Sequence, residues 1–189
     1  MSTTTTSQRP RAAFPLAVAL LAGAAVAVSL GVYAGVHEPA NRPLVTLGFS
    51  GMLQMKAWLT TLATLLLLVQ LTTALWMWGR LPGVRGPAPD WTALVHRWSG
   101  SSAFVLTLPV AFHCIWALGL ATGDLRVTVH SLVGCLFYGA YAAKMLALRG
   151  RGLPGWALPV LGGSVLSALV LIWLTSALWF FTRSGLPVV

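Results

Sequence analysis

Charge is what this sequence has least of. Charged residues make up 8% of the 189 residues, against roughly a quarter in an ordinary soluble domain. The acidic residues are only Glu38, Asp90 and Asp124. So few charges could not cover the surface of a soluble fold, whereas 57% of the residues are hydrophobic. The composition therefore excludes an ordinary soluble domain and indicates that lipid surrounds most of the chain.

Several motifs of well-defined chemistry are also missing from the sequence. It has no Walker-type glycine loop and no Cys-x-x-Cys-His motif, so covalent c-type haem attachment is excluded. The two cysteines, Cys114 and Cys135, lie in apolar stretches and are interpreted as small packing residues rather than a disulfide. None of the three carboxylates lies inside a long apolar stretch, which argues against a proton-driven transporter.

Long apolar stretches are what the sequence has in abundance. A spanning helix needs about 20 mostly apolar residues, and five stretches qualify: residues 14–36, 52–78, 91–120, 127–148 and 156–181. Asp90 and Asp124 precede two of them as predicted N-caps. We therefore predict an all-α, polytopic membrane helix bundle of about five transmembrane helices. Residues 13–183 would form this single domain, and residues 1–12 a disordered cytoplasmic tail.

Basic residues between the stretches predict the orientation of the bundle. One side carries Arg9, Arg11, Arg80, Arg85, Lys144, Arg149 and Arg151, with Arg97 just beyond it. The other side carries only Arg42, Lys56, Arg126 and Arg183. The positive-inside rule then places the N-terminus in the cytoplasm, as a multi-pass protein of a bacterial plasma membrane. Short basic clusters of this kind reflect membrane topology, and no nucleic-acid partner is expected.

Ionisable residues inside a membrane are functional candidates by default. Here these are the four histidines, with Lys56 and Gln70 in the second stretch. His96 and His113 are 17 residues apart, about 25 Å along one helix, so His96 should lie near the inner face and His113 in the outer half. His130 begins the fourth helix and His37 ends the first, both on the outer side. Gln70 is expected to hydrogen-bond another helix.

Two imidazoles at equal depth on different helices can bind a haem iron from both faces. His96 is followed by Gly100 and His130 by Gly134, each four residues later on the same helical face. A glycine there leaves room for a flat porphyrin. Interfacial histidines are often merely hydrogen-bonded, and small residues four apart are also common in helix packing, so both interpretations remain open.

The stretches His96-Arg-Trp-Ser-Gly100 and His130-Ser-Leu-Val-Gly134 resemble the His-x-x-x-Gly motifs of membrane b-type cytochromes, which include the cytochrome b-561 and ferric-reductase-like families. The whole chain also resembles an actinobacterial family of small membrane proteins with no assigned activity. The cytochrome resemblance covers roughly residues 50–150. It implies haem b held between helices and electron transfer through the membrane or to a quinone.

One outer haem is expected. Its ligand pair would be His113 with His130, or either of them with His37. A second, inner haem at His96 would need an unusual partner such as Met77 or Met145. Arg126 and Lys56 would pair with the haem propionates or reach the lipid headgroups.

The leading functional hypothesis is a b-type cytochrome that relays electrons between a quinol pool and a redox protein on the outer side. The competing hypothesis is a haem-free subunit that anchors or assembles a larger membrane complex. A transporter ranks third, because intramembrane carboxylates are missing.

Overall fold

The computed structural model of the protein describes residues 10–185, and those residues form helices and connections without any strand. The α-helices are α1 (Pro10–Val36), α2 (Met52–Met77), α3 (Trp91–Phe112), α4 (Leu125–Ala147), α5 (Ala157–Trp173) and α6 (Trp179–Ser184). Two π-helical stretches extend them: His113–Leu118 prolongs α3, and Leu174–Leu178 joins α5 to α6. Residues 1–9 of the predicted tail lie outside the described residues, and α1 begins at Pro10.

Four of the helices are long and apolar enough to cross a membrane: Phe14–Val36, Met52–Met77, Trp91–Leu118 and Ala157–Ser184. The fourth predicted stretch forms a helix too, α4, whose 23 residues span about 35 Å. Its hydropathy is lower, because it carries Arg126, His130 and Lys144. Large apolar side chains on the bundle face outward, such as Leu21 and Leu68, which are 71% and 64% exposed. A surface of that kind needs lipid as its solvent.

The two aspartates that precede α3 and α4 differ in whether they cap the helix. Asp124 caps α4, since its side chain accepts a hydrogen bond from the Arg126 backbone N–H at 2.9 Å, as predicted. Asp90 precedes α3 but makes no side-chain cap bond in the described structure. The Thr92 N–H instead donates to the Pro89 carbonyl at 3.0 Å, so the proline-containing loop closes the first turn.

The helices pack as α1 against α4, α2 against α3, and α5 against both α4 and α2. The closest approach is between Gly23 of α1 and Gly139 of α4. A Cβ atom on either glycine would lie 2.5 Å from the carbonyl oxygen of the other. Small residues of this kind let helix backbones touch inside membranes.

Between α3 and α4 the packing is carried by aromatic side chains. Phe104 stacks on Tyr141 with ring centroids 3.8 Å apart and meets Tyr138 edge-on. The Tyr138 hydroxyl donates to Thr107 Oγ1 at 2.8 Å. This contact forms the floor of a space between the two helices that extends toward the α1–α2 loop.

Candidate functional site

A cavity lies between α3 and α4, on the side of the bundle that carries the α1–α2 loop, residues 37–51. Its empty volume is about 630 Å³, a value that includes open space at its mouth. The walls are mostly apolar, with Leu169 and Ile172 of α5 among them. The polar side chains lining it are Thr60, Thr107, Cys114, His130, Ser131, Cys135 and Tyr138.

His130 of α4 presents one ring nitrogen toward this cavity. Its Nδ1 lies 3.1 Å from the hydroxyl of Thr175, and that hydroxyl donates its own proton to the Leu171 carbonyl at 2.7 Å. Thr175 must then accept a hydrogen bond from Nδ1–H, which leaves a lone pair on Nε2. An imidazole with Nδ1–H held in place and Nε2 free is the arrangement typical of metal-ligating histidines.

Cys114 is the group nearest to that lone pair. Its Sγ lies 3.9 Å from His130 Nε2. Cys114 belongs to the π-helical stretch that prolongs α3, and Thr175 belongs to the one that joins α5 to α6. Both π-helical stretches therefore supply a residue to this site, and such irregular turns are frequent at functional sites.

The two glycines of the His-x-x-x-Gly motifs differ in what they face. Gly134 lines the cavity, and a Cβ atom placed on it would meet no described atom within 4 Å. A Cβ atom on Gly100 would lie 2.9 Å from the side-chain oxygen of Gln70. Only the motif that begins at His130 therefore borders open space.

His96 repeats the histidine arrangement without the cavity. Its Nδ1 lies 2.8 Å from Thr73 Oγ1, and that hydroxyl donates to the Val69 carbonyl at 2.6 Å. Gln70 fills the adjoining space, where it donates to Ser99 Oγ at 2.7 Å and to the His96 carbonyl. The predicted interhelical hydrogen bond of Gln70 is thus confirmed, and His96 packs against α2.

His113 is directed elsewhere and is completely buried. Its Nδ1–H donates to the Pro109 carbonyl at 2.7 Å, one turn earlier. Its Nε2 accepts a hydrogen bond from the Leu44 backbone N–H at 3.2 Å, with the Val45 N–H at 3.5 Å. Both ring nitrogens are engaged, and His113 does not line the cavity. The structure therefore does not bring the predicted pair His113 and His130 together; His113 fastens the α1–α2 loop to α3.

His37, the third predicted ligand on this side, stacks on Tyr33 with ring centroids 4.9 Å apart. Its Nε2 is buried and has no hydrogen-bond partner among the described residues. It does not line the cavity either.

Arg126 lies one turn before His130. Its guanidinium donates to the Thr175 carbonyl at 2.6 Å and lies 4.0 Å from the ring centroid of Trp179, a cation–π contact. Asp124 is 3.8 Å away in a long ion pair. Neither Arg126 nor Lys56 lines the cavity, and the binding of propionates by these two residues stays a prediction.

This site has too few ligands for a bare metal ion. Among the described residues, no group of three or more His, Cys, Asp or Glu side chains is placed to hold one. The cavity offers only a pair of such side chains, Cys114 and His130. A metal complex that brings most of its own ligands needs fewer protein ligands than a free cation does.

Three contributors to the site were not predicted from the sequence. Cys114 was interpreted as a packing residue, and Thr175 and Tyr138 had no predicted role in binding. The available signal for Cys114 was its place beside a candidate histidine in an apolar helix that contains Pro109. Nothing local marks Thr175, which meets His130 from a helix 45 residues later.

The helices and the site define a membrane protein of the helical-bundle class with an internal cavity. The chain belongs to the Family of unknown function (DUF6529), whose model matches residues 16–188. No curated protein and no solved structure matches the chain.

Proposed function

We propose that this protein is a membrane b-type cytochrome that holds one haem at His130 and transfers single electrons. The observation that carries this proposal is the state of His130: its Nδ1–H is fixed by Thr175, and its Nε2 faces a cavity bordered by Gly134. This is the only predicted ligand histidine that lines the cavity.

The types of residue at and near the cavity are those that bind the parts of a haem group. His130 would bind the iron, and the bare backbone of Gly134 would leave room for the porphyrin. Arg126 and Lys56, which lie outside the cavity lining, would reach the propionates. Four equatorial nitrogens come with the porphyrin, so a site with only one or two protein ligands suffices. When bound, the haem supplies reversible one-electron chemistry whose potential depends on its axial ligands.

The protein's own groups would prepare the site in three ways. Thr175 holds the tautomer and the ring orientation of His130. The hydrogen bond from Tyr138 to Thr107 closes the floor of the cavity. The mostly apolar walls would strengthen the attraction between a bound negative group and any positive partner inside them, because the local dielectric constant there would be lower than in water.

The topology of the proposal is five spans, with the N-terminus in the cytoplasm. The positive-inside rule then puts the α1–α2 loop, the α3–α4 turn and the cavity in the outer half of a bacterial plasma membrane. A haem there is suited to accept electrons from a quinol within the bilayer and to pass them to a redox protein outside.

The test is a reduced-minus-oxidised absorption spectrum of the full chain purified in detergent, with haem quantified per chain. Wild type should bind about one haem, and His130→Ala should lose nearly all of it. His96→Ala is the matched control, because His96 has the same hydrogen bond to a threonine but no cavity, and it should keep the haem. Colourless wild-type protein, or full haem in His130→Ala, would overturn the proposal.

A second candidate, a haem-free anchor subunit, is favoured by one observation. His113, the other predicted ligand, serves the architecture by fastening the loop at Leu44. On this alternative His130 would likewise serve only to join α4 to Thr175. Colourless protein that copurifies with a larger membrane complex would favour the anchor subunit.

A further inference from the structure

Two arginines meet on one tryptophan ring at the end of the bundle where α4 begins and α6 ends. The guanidinium carbon of Arg126 lies 4.0 Å from the ring centroid of Trp179, and that of Arg183 lies 5.1 Å from the same centroid. We propose that this Arg126–Trp179–Arg183 cluster binds the phosphodiester headgroup of an anionic phospholipid. The site lies outside the cavity lining, and the inference goes beyond the proposed function.

The two positive charges of the cluster are close enough to repel each other. Their guanidinium carbons cannot be farther apart than the sum of their distances to the shared ring, which is close to the Debye length of about 8–10 Å at physiological salt. Among the described residues, the one carboxylate that pairs with the cluster is Asp124, at 3.8 Å from Arg126. The cluster therefore keeps a net positive charge. An anion that accepts hydrogen bonds from both arginines would relieve the repulsion.

The position of Arg126 in its helix adds to this excess of positive charge. Arg126 is the second residue of α4, and the helix macrodipole already places a partial positive charge at a helix N-terminus. The hydrogen bond to the Thr175 carbonyl and the long ion pair with Asp124 do not use all five donors of the guanidinium. The side chain is 29% exposed, so a headgroup at the surface can reach the remaining donors.

The apolar side chains beside the cluster suit a lipid better than a free phosphate. Leu125, directly before Arg126, is 80% exposed, and Leu174 and Leu178 are 43% and 37% exposed. In a membrane such side chains contact acyl chains, whereas tryptophan rings prefer the level of the headgroups. A ligand that combines a phosphodiester with acyl chains therefore matches both the charged and the apolar part of this surface.

The test is native mass spectrometry of the full chain in a non-ionic detergent, titrated with phosphatidylglycerol and, in parallel, with phosphatidylcholine. Wild type should bind one phosphatidylglycerol more tightly than phosphatidylcholine. Arg126 also takes part in the proposed haem site, so the test changes Arg183 instead. Arg183→Gln should weaken the tightest phosphatidylglycerol site about fivefold, which is the usual effect of one basic residue near an anionic lipid surface.

Arg42→Gln is the matched control. Arg42 is exposed in the α1–α2 loop at the same end of the bundle, and it makes no cation–π contact in the part of the chain that the structure describes. The variant loses the same charge as Arg183→Gln but should bind phosphatidylglycerol as tightly as wild type does. Equal weakening in both variants would contradict a specific site at Trp179.

Equal affinities of wild type and Arg183→Gln, or no preference for phosphatidylglycerol, would overturn the inference. Displacement of the lipid by an equal concentration of inorganic phosphate would also overturn it, because the site would then recognise a free anion. If Arg183→Gln does not fold, the salt dependence of wild-type binding decides the question. The affinity should fall as ionic strength rises, and a salt-independent affinity would contradict the site. None of these measurements depends on haem, so colourless protein would overturn the proposed function and leave this inference standing.

Discussion

Histidine side chains in this protein are distinguished by the partner of Nδ1. In His130 and His96 that partner is a threonine hydroxyl on the neighbouring helix, whereas in His113 it is a carbonyl one turn earlier. All three arrangements leave Nε2 as an acceptor. What differs is the neighbour of Nε2, which is Cys114 Sγ in His130 and the Leu44 backbone N–H in His113. Only the folded chain decides this.

Removing the hydroxyl that orients His130 should weaken haem binding. In Thr175→Val the ring loses its acceptor for Nδ1–H, and losing such an outer partner typically costs about 10–100-fold in metal affinity. The rate of haem loss to an excess of a haem-scavenging protein measures the effect. Thr73→Val removes the equivalent partner of His96 and should leave that rate unchanged; equal effects of both variants would contradict the assignment.

His113→Ala should lower stability without removing the haem. The change leaves the Leu44 N–H without its acceptor and opens a void at a completely buried position. A buried donor without a partner costs about 1–3 kcal/mol, before any cost of the void. Thermal unfolding in detergent should show a lower midpoint at unchanged haem content, and loss of haem with unchanged stability would restore His113 as a ligand.

At the scale of the helices, the sequence predicted most of what the structure contains. Apolar length predicted all five long helices. His130 and Gly134, which the four-residue spacing puts on one helical face, both line the cavity. The same spacing does not predict which side chain lies opposite the glycine. Gly100 has the same position relative to His96, but it faces Gln70 and not a cavity. The engagement of His113 depends on a loop 69 residues earlier in the chain, which no local pattern reveals.

The contact between α1 and α4 should be sensitive to a single methyl group. Gly23→Ala places a Cβ atom 2.5 Å from the Gly139 carbonyl oxygen, a backbone atom that can move only with its helix. Overpacking of this kind costs about 1–3 kcal/mol. Gly163→Ala in α5 is the control, because its Cβ atom would meet no described atom within 4 Å.

Thermal unfolding should therefore separate the two variants. Gly23→Ala should melt at a lower temperature than wild type, and Gly163→Ala at the same temperature or slightly above, since alanine favours helix over glycine. Equal midpoints would mean that the α1–α4 contact relaxes at no cost.

At the scale of the whole molecule, the side of the membrane on which the C-terminus lies depends on whether α4 spans the membrane. Its lower hydropathy comes from residues that belong to the site or lie near its ends, such as Arg126 and Lys144. Five spans put the two termini on opposite sides of the membrane, and four spans put them on the same side. An enzyme reporter that works only outside the cytoplasm should be active when it is fused after the C-terminus. An inactive reporter, and hence a cytoplasmic C-terminus, would show that α4 does not span the membrane.

The hydrogen bond to the His113 imidazole should also slow amide hydrogen exchange in the α1–α2 loop. Loop amides normally exchange quickly because water reaches them, but the Leu44 N–H donates to a ring that is completely buried. That amide should exchange with deuterium as slowly as one inside a helix, although no helix or strand contains it. The loop would then open only when α3 releases it, so solvent access to this end of the bundle is set by the stability of α3 and not by the loop.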